Sequence, residues 1–232
     1  MLWSVVCLLL ISGCADSSST SQTAQPQPPA VPAETVEAVP VPAASVPPAI
    51  EEPTEGAVTE EEMIWQRLAQ VDEETYVVLL RHAIAPGTGD PANFVVDDCT
   101  TQRNLSEQGR QQARDIGEIF RSRNIPIAKV LTSQWCRCLE TAELMDIGPV
   151  EPFPAIDSFF RDRSTADAQT NQVREYISNN QNQAGVTVMV THQMNITALT
   201  DIFPPSGSAV VLQLDESSNQ LNVIGQILEE GV

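Results

Sequence analysis

The chain has 232 residues, 42% of them hydrophobic, which is enough for one folded domain once the polar ends are set aside. It carries 12 Lys and Arg against 31 Asp and Glu, so the formal net charge is -19. This acidic balance argues against nucleic acid or anionic lipid as a partner. Any site for an anionic substrate must therefore rely on arginine to focus positive charge locally.

The N-terminus predicts export. Leu2 to Gly13 is apolar but shorter than the roughly 17 to 25 residues of a membrane-spanning helix, which favours a signal peptide. It ends in Ile11-Ser12-Gly13-Cys14, which resembles the lipobox of bacterial lipoproteins. That resemblance implies a signal peptide over residues 1–14, lipidation at Cys14, and a location at the outer membrane or on its periplasmic face. No basic residue precedes Arg67, so an ordinary apolar N-terminus is the alternative.

Residues 15–62 are rich in Pro, Ala, Ser and Glu and show no apolar period. Such a segment buries too little apolar surface to offset the entropy of ordering, so we expect a disordered tether. The folded domain would then span residues 63–232, and it would meet the membrane through the lipid anchor only.

Helices and strands alternate in the remaining sequence. Helical spacing predicts helices over Glu60 to Val71, Ser106 to Arg123, Trp135 to Met145 and Ala168 to Asn180, and a short one after His192. Apolar runs predict strands over Thr75 to Leu80, Ile127 to Leu131, Val186 to Val190, Ala209 to Leu214 and Leu221 to Ile227. The alternation predicts an α/β fold, a three-layer α/β/α sandwich with a mostly parallel sheet, and the last two strands suit an antiparallel hairpin at one edge.

The only two histidines, His82 and His192, each end a strand-like run. Ligands of open α/β sheets bind beyond the carboxyl ends of the strands, so this placement predicts a site. Arg81 precedes His82, and Arg137 falls in the first turn of the helix after the second strand. For either histidine alone, a structural role would be the ordinary interpretation.

These residue types suit phosphoryl transfer. Guanidinium groups neutralise the phosphoryl oxygens, and a neutral imidazole can attack phosphorus to give a phosphohistidine that water hydrolyses. Two histidines without a carboxylate at ligand spacing make a poor metal site. We therefore expect neither a metal nor a cofactor.

Four segments, in chain order, resemble the motifs of the histidine phosphatase superfamily, which includes the phosphoglycerate mutases. They are Leu80-Arg81-His82-Ala83, the stretch from Leu105 to Ala113, the stretch from Ser133 to Ala142, and Val190-Thr191-His192. The resemblance implies the phosphoglycerate mutase-like fold, with His82 as nucleophile. It also implies Arg81 and Arg137 as phosphate ligands and His192 as the second imidazole of the pocket.

The proton donor for the leaving group is not evident, because Gln193 follows His192 where phytase-like members have aspartate. Branches with a separate acid place it on a stretch that corresponds to Asp157 and Asp162 here. Burial against Phe159 or Phe160 would raise the pKa of such a donor, and ordinary loop carboxylates are the alternative. Arg103 could hold a second substrate charge or lie at the solvated surface.

The cysteines of the folded part permit one disulfide, from Cys99 to Cys136 or to Cys138. The function expected is that of a metal-independent phosphomonoesterase, a monomer, that acts outside the cytoplasm on a phosphorylated small molecule or an envelope glycan, such as a sugar phosphate. Two alternatives remain open: a phosphohistidine-protein phosphatase, and a catalytically weak module that binds phosphorylated ligands.

Overall fold

The computed structural model describes residues 58–71, 74–181, 183–215 and 217–228. The predicted signal peptide, Cys14 and residues 15–57 of the predicted tether lie outside this part. The helices are α1 (Glu60–Ala69), α2 (Glu107–Ser122), α3 (Cys136–Met145), α4 (Ala166–Asn179) and α5 (Gln193–Thr200). The strands are β1 (Thr75–Arg81), β2 (Ile127–Thr132), β3 (Val150–Pro152), β4 (Val186–Thr191), β5 (Ala209–Asp215) and β6 (Gln220–Ile227).

The strands form one sheet in the order β3-β2-β4-β1-β5-β6. The first four of these, β3, β2, β4 and β1, are parallel to one another. Strand β5 pairs antiparallel with β1, and β6 pairs antiparallel with β5. The predicted α/β class, the mostly parallel sheet and the hairpin at its edge are confirmed.

Helices cover both faces of the sheet, because side chains alternate along each strand. Val78 and Leu80 of β1 belong to the apolar cluster that α1, α2 and α3 cover. Val77 and Leu79 belong to a second cluster that α4 and α5 cover, with Ile177 and Ile196 at its centre. This arrangement is the predicted three-layer sandwich.

The parallel pairing of β1 with β4 brings the two histidines together. Arg81 is in register with Thr191, and the His82 backbone N–H donates to the Thr191 carbonyl at 3.0 Å. Both histidines therefore leave the sheet at the same edge, as the sequence predicted.

A disulfide joins Cys99 to Cys136, with 5.7 Å between the two Cα atoms, and Cys138 is a buried free thiol. This bond ties the connection from β1 to α2, residues 83–103, to the first turn of α3. We call residues 83–103 the site loop. No helix within the described residues is long and apolar enough to cross a membrane.

Candidate active site

His82 is held with one ring nitrogen free for chemistry. The side chain is buried, and its Nδ1 lies 2.8 Å from the Ala83 carbonyl oxygen, which can only accept, so Nδ1 carries the proton. Nε2 therefore keeps its lone pair. Burial, and then the positive charge of Arg137, holds the pKa of His82 well below 6.5. The imidazole is neutral at neutral pH, the form that can act as a nucleophile.

His192 lies beside His82, with 5.6 Å between the ring centroids, and both of its nitrogens are engaged. Its Nδ1 accepts from an Arg137 N–H at 3.2 Å, and its Nε2 donates to Ser133 Oγ at 2.8 Å. Ser133 Oγ in turn donates to the Asp157 carboxylate at 3.0 Å. Burial, followed by Arg137, also lowers the pKa of His192 well below 6.5. In this arrangement His192 orients Arg137 as a neutral acceptor.

Arg81 and Arg137 each present an unused N–H group. The Nε of each guanidinium is buried and has no hydrogen-bond partner within the described residues. Arg81 is anchored by donation to the Pro204 carbonyl at 2.9 Å. Both arginines line a cavity of about 640 Å³, together with His82 and His192. The positive charges of the two guanidinium groups at this cavity suit an anion.

Arg103 lies half-buried at the same cavity. Its Nε donates to the Gly89 carbonyl at 3.0 Å, and its Nη1 donates to the Ala85 carbonyl, so it holds the site loop in shape. Burial, followed by the positive charge of Arg137, lowers the pKa of Arg103 to about 10. Arg103 is therefore both a loop support and a positive charge at the cavity wall.

The two carboxylates proposed as proton donor are placed differently. Asp157 contacts Ser133 and the Gln134 backbone N–H, and it is not among the residues that line the cavity. Its pKa is raised by burial, as expected, but its carboxylate serves the hydrogen-bond chain behind His192. Asp162 is exposed and accepts from Ser164, which lowers its pKa. The structure therefore does not bring Asp162 to the site.

The sequence analysis missed Asp90, an acidic residue of the cavity wall. Asp90, on the site loop, accepts from Arg137 Nη1 at 2.7 Å and from Trp135 Nε1 at 3.0 Å. The side chains of the Asp90 and Arg137 pair are only 1% and 3% exposed. Asp90 lies in a stretch rich in Pro and Gly, which is typical of a loop, but nothing in the local sequence indicates that its carboxylate turns inward.

The rest of the cavity is more apolar. Phe160 and Phe203 lie at its wall with 44% and 70% of their surfaces exposed, and Met194 and Ala198 of α5 line it as well. In the described part of the chain, no group of three or more His, Cys, Asp or Glu side chains is placed to hold a metal ion. The cavity thus combines arginine and histidine side chains, which suit a phosphate group, with apolar side chains that suit the remainder of a substrate.

Residues 77–156 match the family model of the histidine phosphatase superfamily, branch 1. This match covers about a third of the chain. It supports a phosphatase or a related phosphoryl-transfer enzyme.

Similar folds occur among solved structures. The protein histidine phosphatase SixA, complexed with tungstate, is 16% identical, with a TM-score of 0.45, and the match covers 66% of this chain and 96% of that one. Phosphoserine phosphatase from Entamoeba histolytica, in complex with 3-phosphoglyceric acid, is 12% identical, with a TM-score of 0.48 and coverage of 66% and 96%. Among curated proteins, none matches the chain.

The two buried histidines predict an acid-sensitive fold. Both imidazoles have a folded-state pKa well below 6.5, whereas in the unfolded chain they take up protons as the pH falls through about 6.5. The free energy of unfolding should therefore decrease between pH 6.5 and 5, by up to about 1.4 kcal/mol per pH unit for each histidine. Urea denaturation at pH 7, 6 and 5 measures this slope. His82→Gln should roughly halve it, and a flat profile would contradict the neutral state assigned to the pair.

Proposed function

We propose that the protein is a metal-independent phosphomonoesterase that works through a covalent phosphohistidine on His82. One observation supports this most directly. The side chains of Arg81 and Arg137 line the same cavity as His82, a neutral imidazole whose Nε2 is unprotonated. Phosphoryl transfer needs positioning and charge neutralisation, and these groups supply both.

The proposed reaction has two steps. The Nε2 lone pair of His82 attacks phosphorus, the ester P–O bond breaks, and the leaving oxygen takes up a proton as the alcohol departs. Water then attacks the phosphohistidine, the P–N bond breaks, and inorganic phosphate is released as His82 regains its free Nε2. Arg81 and Arg137 bind the equatorial oxygens in both steps, while His192 keeps Arg137 in place through its Nδ1.

For the substrate, we propose a phosphorylated small molecule or envelope glycan outside the cytoplasm, with a sugar phosphate as one example. The support is the predicted signal peptide and lipidation at Cys14, together with the volume of the cavity, about 640 Å³, which exceeds that of a phosphate group alone. Arg103, which lines the cavity, is proposed to bind a further anionic or hydroxyl group of such a substrate.

The direct test is to trap the intermediate. Wild-type protein freed of metals with a chelator should hydrolyse p-nitrophenyl phosphate, and mixing it with a labelled phosphate ester followed by a rapid quench should leave label on the protein. A phosphohistidine is stable in alkali and labile in acid, whereas a phosphoserine shows the reverse. Absence of turnover on every phosphate ester tried, or label that survives acid, would contradict the proposal.

A further inference from the structure

A chain of hydrogen bonds connects Asp157 with Arg137, the proposed phosphate ligand. One oxygen of the Asp157 carboxylate, Oδ1, accepts from the Ser133 hydroxyl at 3.0 Å and from the Gln134 backbone N–H at 2.7 Å. Ser133 Oγ lies 2.8 Å from His192 Nε2, and His192 Nδ1 lies 3.2 Å from Arg137 Nη2. The chain therefore joins a carboxylate that does not line the cavity to a guanidinium that does.

The two ends of this chain determine the direction of every bond in it. The guanidinium of Arg137 can only donate, so His192 Nδ1 accepts, and the neutral ring carries its proton on Nε2. At the other end, Oδ1 of Asp157 accepts the one proton of the Ser133 hydroxyl, which leaves Ser133 Oγ only its lone pairs to offer to Nε2. Both ends thus favour the same tautomer of His192.

The other polar atom next to Nε2 does not set this tautomer. Cys138 Sγ lies 3.5 Å from His192 Nε2, but its proton is directed at the Thr191 carbonyl, 3.6 Å away. A thiol sulfur is a weak acceptor, so the Ser133 hydroxyl at 2.8 Å is the partner that fixes the Nε2 proton.

The position of Asp157 itself is fixed by two helices. Its backbone carbonyl accepts from Asn195 Nδ2 of α5 and from Gln169 Nε2 of α4, each at 2.9 Å. Ser133 is fixed from the sheet, because its backbone N–H donates to the Val190 carbonyl at the end of β4 at 3.0 Å. The carboxylate and the hydroxyl are therefore held in place by separate elements that meet behind His192.

Without an acceptor at the position of Asp157 Oδ1, the Ser133 hydroxyl would be able to turn and donate to Nε2. His192 would then carry its proton on Nδ1, where it would face an N–H of Arg137, donor against donor. Arg137 would keep Asp90 as the partner of Nη1 but lose His192 as the partner of Nη2. A buried donor without a partner is costly, so the guanidinium would move from its place at the cavity.

From this geometry we infer that Asp157 is a positioning residue of the phosphatase reaction. Through Ser133 it keeps the proton of His192 on Nε2, so that Nδ1 holds Arg137 in place for the phosphoryl oxygens. The effect on catalysis rests on the proposed function, whereas the tautomer of His192 does not. The role requires an acceptor oxygen at Asp157 and no proton, which distinguishes it from the general acid that the sequence analysis considered for this residue.

Two substitutions of Asp157 separate these roles. The substrate is an alkyl phosphate, whose alkoxide is a poor leaving group and needs a proton. Asp157→Asn keeps an acceptor oxygen at the place of Oδ1, so kcat/KM should stay within about 5-fold of the wild type, whereas loss of a general acid would cost about 10²- to 10⁴-fold. Asp157→Ala removes the acceptor and should lower kcat/KM by about 10- to 100-fold, for this substrate and for p-nitrophenyl phosphate alike.

The proton position can be measured directly, because the chain has only two histidines. In protein labelled with ¹⁵N-histidine and purified without a histidine tag, long-range ¹H–¹⁵N spectra distinguish protonated from unprotonated ring nitrogens. His192 should be protonated on Nε2 in the wild type and in Asp157→Asn, and Asp157→Ala should show the Nδ1-protonated form. His82 should keep its proton on Nδ1 in all three proteins and is the internal reference.

Asp162→Ala is the matched control, since Asp162 is an exposed carboxylate outside the cavity, and it should change neither measurement. Ser133→Ala interrupts the chain at its centre and should lower kcat/KM as Asp157→Ala does, which supplies a second variant if urea denaturation shows that Asp157→Ala does not fold.

A loss in Asp157→Asn as large as that in Asp157→Ala would overturn the inference, because the charge or the proton of Asp157 would then matter and not its acceptor oxygen. An unchanged His192 tautomer in Asp157→Ala, or full activity in Ser133→Ala, would overturn it as well. Wild-type turnover and the trapped phosphohistidine test the proposed function separately, and the tautomer can be measured even in a protein without turnover.

Discussion

Replacing His82 with alanine is expected to abolish the labelled intermediate and to lower turnover of p-nitrophenyl phosphate by about 10⁴-fold or more, as the loss of a nucleophile does in other covalent enzymes. The loss is expected because only one atom of the His82 ring, Nε2, can attack phosphorus. Nδ1 of His82 is committed to the Ala83 carbonyl, so Nε2 is the only ring nitrogen free to attack phosphorus. A rapid-quench measurement of bound label, with kcat on the same preparation, gives both quantities.

His192→Asn is the matched control for His82→Ala, since it removes the other imidazole of the same cavity. It leaves Arg137 the Asn amide oxygen as a possible acceptor close to the place of Nδ1 but removes the Nε2 contact with Ser133, so turnover should fall, but label should still appear on His82. Both variants should retain affinity for inorganic phosphate as a product inhibitor, because the guanidinium groups of Arg81 and Arg137 remain. Label that persists at full stoichiometry in His82→Ala would place the covalent intermediate on another residue.

The sequence predicted where the two histidines and two arginines of this site lie, because each position follows from a short segment of the chain. Each histidine directly follows an apolar run buried on both faces of the sheet, and parallel neighbours β1 and β4 end at the same edge. Arg81 is adjacent to His82, and Arg137 lies within the first turn of α3. Strand identity, sheet edge and the position of a helix start are all properties of short segments, so they could be derived before the structure was known.

Other features depend on distant partners. Strand β3 has only three residues, one of them Pro152, and it is defined by its pairing with β2. A segment this short shows no alternation of apolar and polar residues, so the sequence did not predict the strand. Asp90 contacts Arg137, 47 positions away in the sequence, from within a loop whose path depends on Arg103 and a disulfide. The choice of Cys136 over Cys138 likewise followed from the loop's path and not from spacing.

Asp157 shows an intermediate case. Its segment was identified correctly as lying near the site, and burial raises its pKa as expected. Its contacts, however, direct the carboxylate at Ser133 and through it at His192, away from the cavity. A raised pKa therefore identified a residue close to the chemistry without identifying its role, which only the hydrogen-bond partners could decide.

Arg137 forms a buried ion pair and lines the proposed active site, so its removal should lower both the stability of the fold and the enzymatic activity. Arg137→Met keeps most of the side-chain volume but leaves the Asp90 carboxylate buried without its ionic partner, since both side chains are almost fully buried. Loss of one partner of a buried ion pair typically costs about 3 to 5 kcal/mol, and we expect the free energy of unfolding to fall by that amount. Loss of a guanidinium from the phosphoryl oxygens should lower kcat/KM for p-nitrophenyl phosphate by about 10²- to 10³-fold.

The double variant Asp90→Asn with Arg137→Met separates the two effects. Neutralising Asp90 removes the unpaired buried charge, so the double variant should recover most of the lost stability at pH 7, measured by urea denaturation. Its activity on p-nitrophenyl phosphate should stay as low as that of Arg137→Met, because the phosphate still lacks its ligand. Recovery of activity along with stability would mean that Arg137 acts only by neutralising Asp90 and does not bind the phosphoryl group.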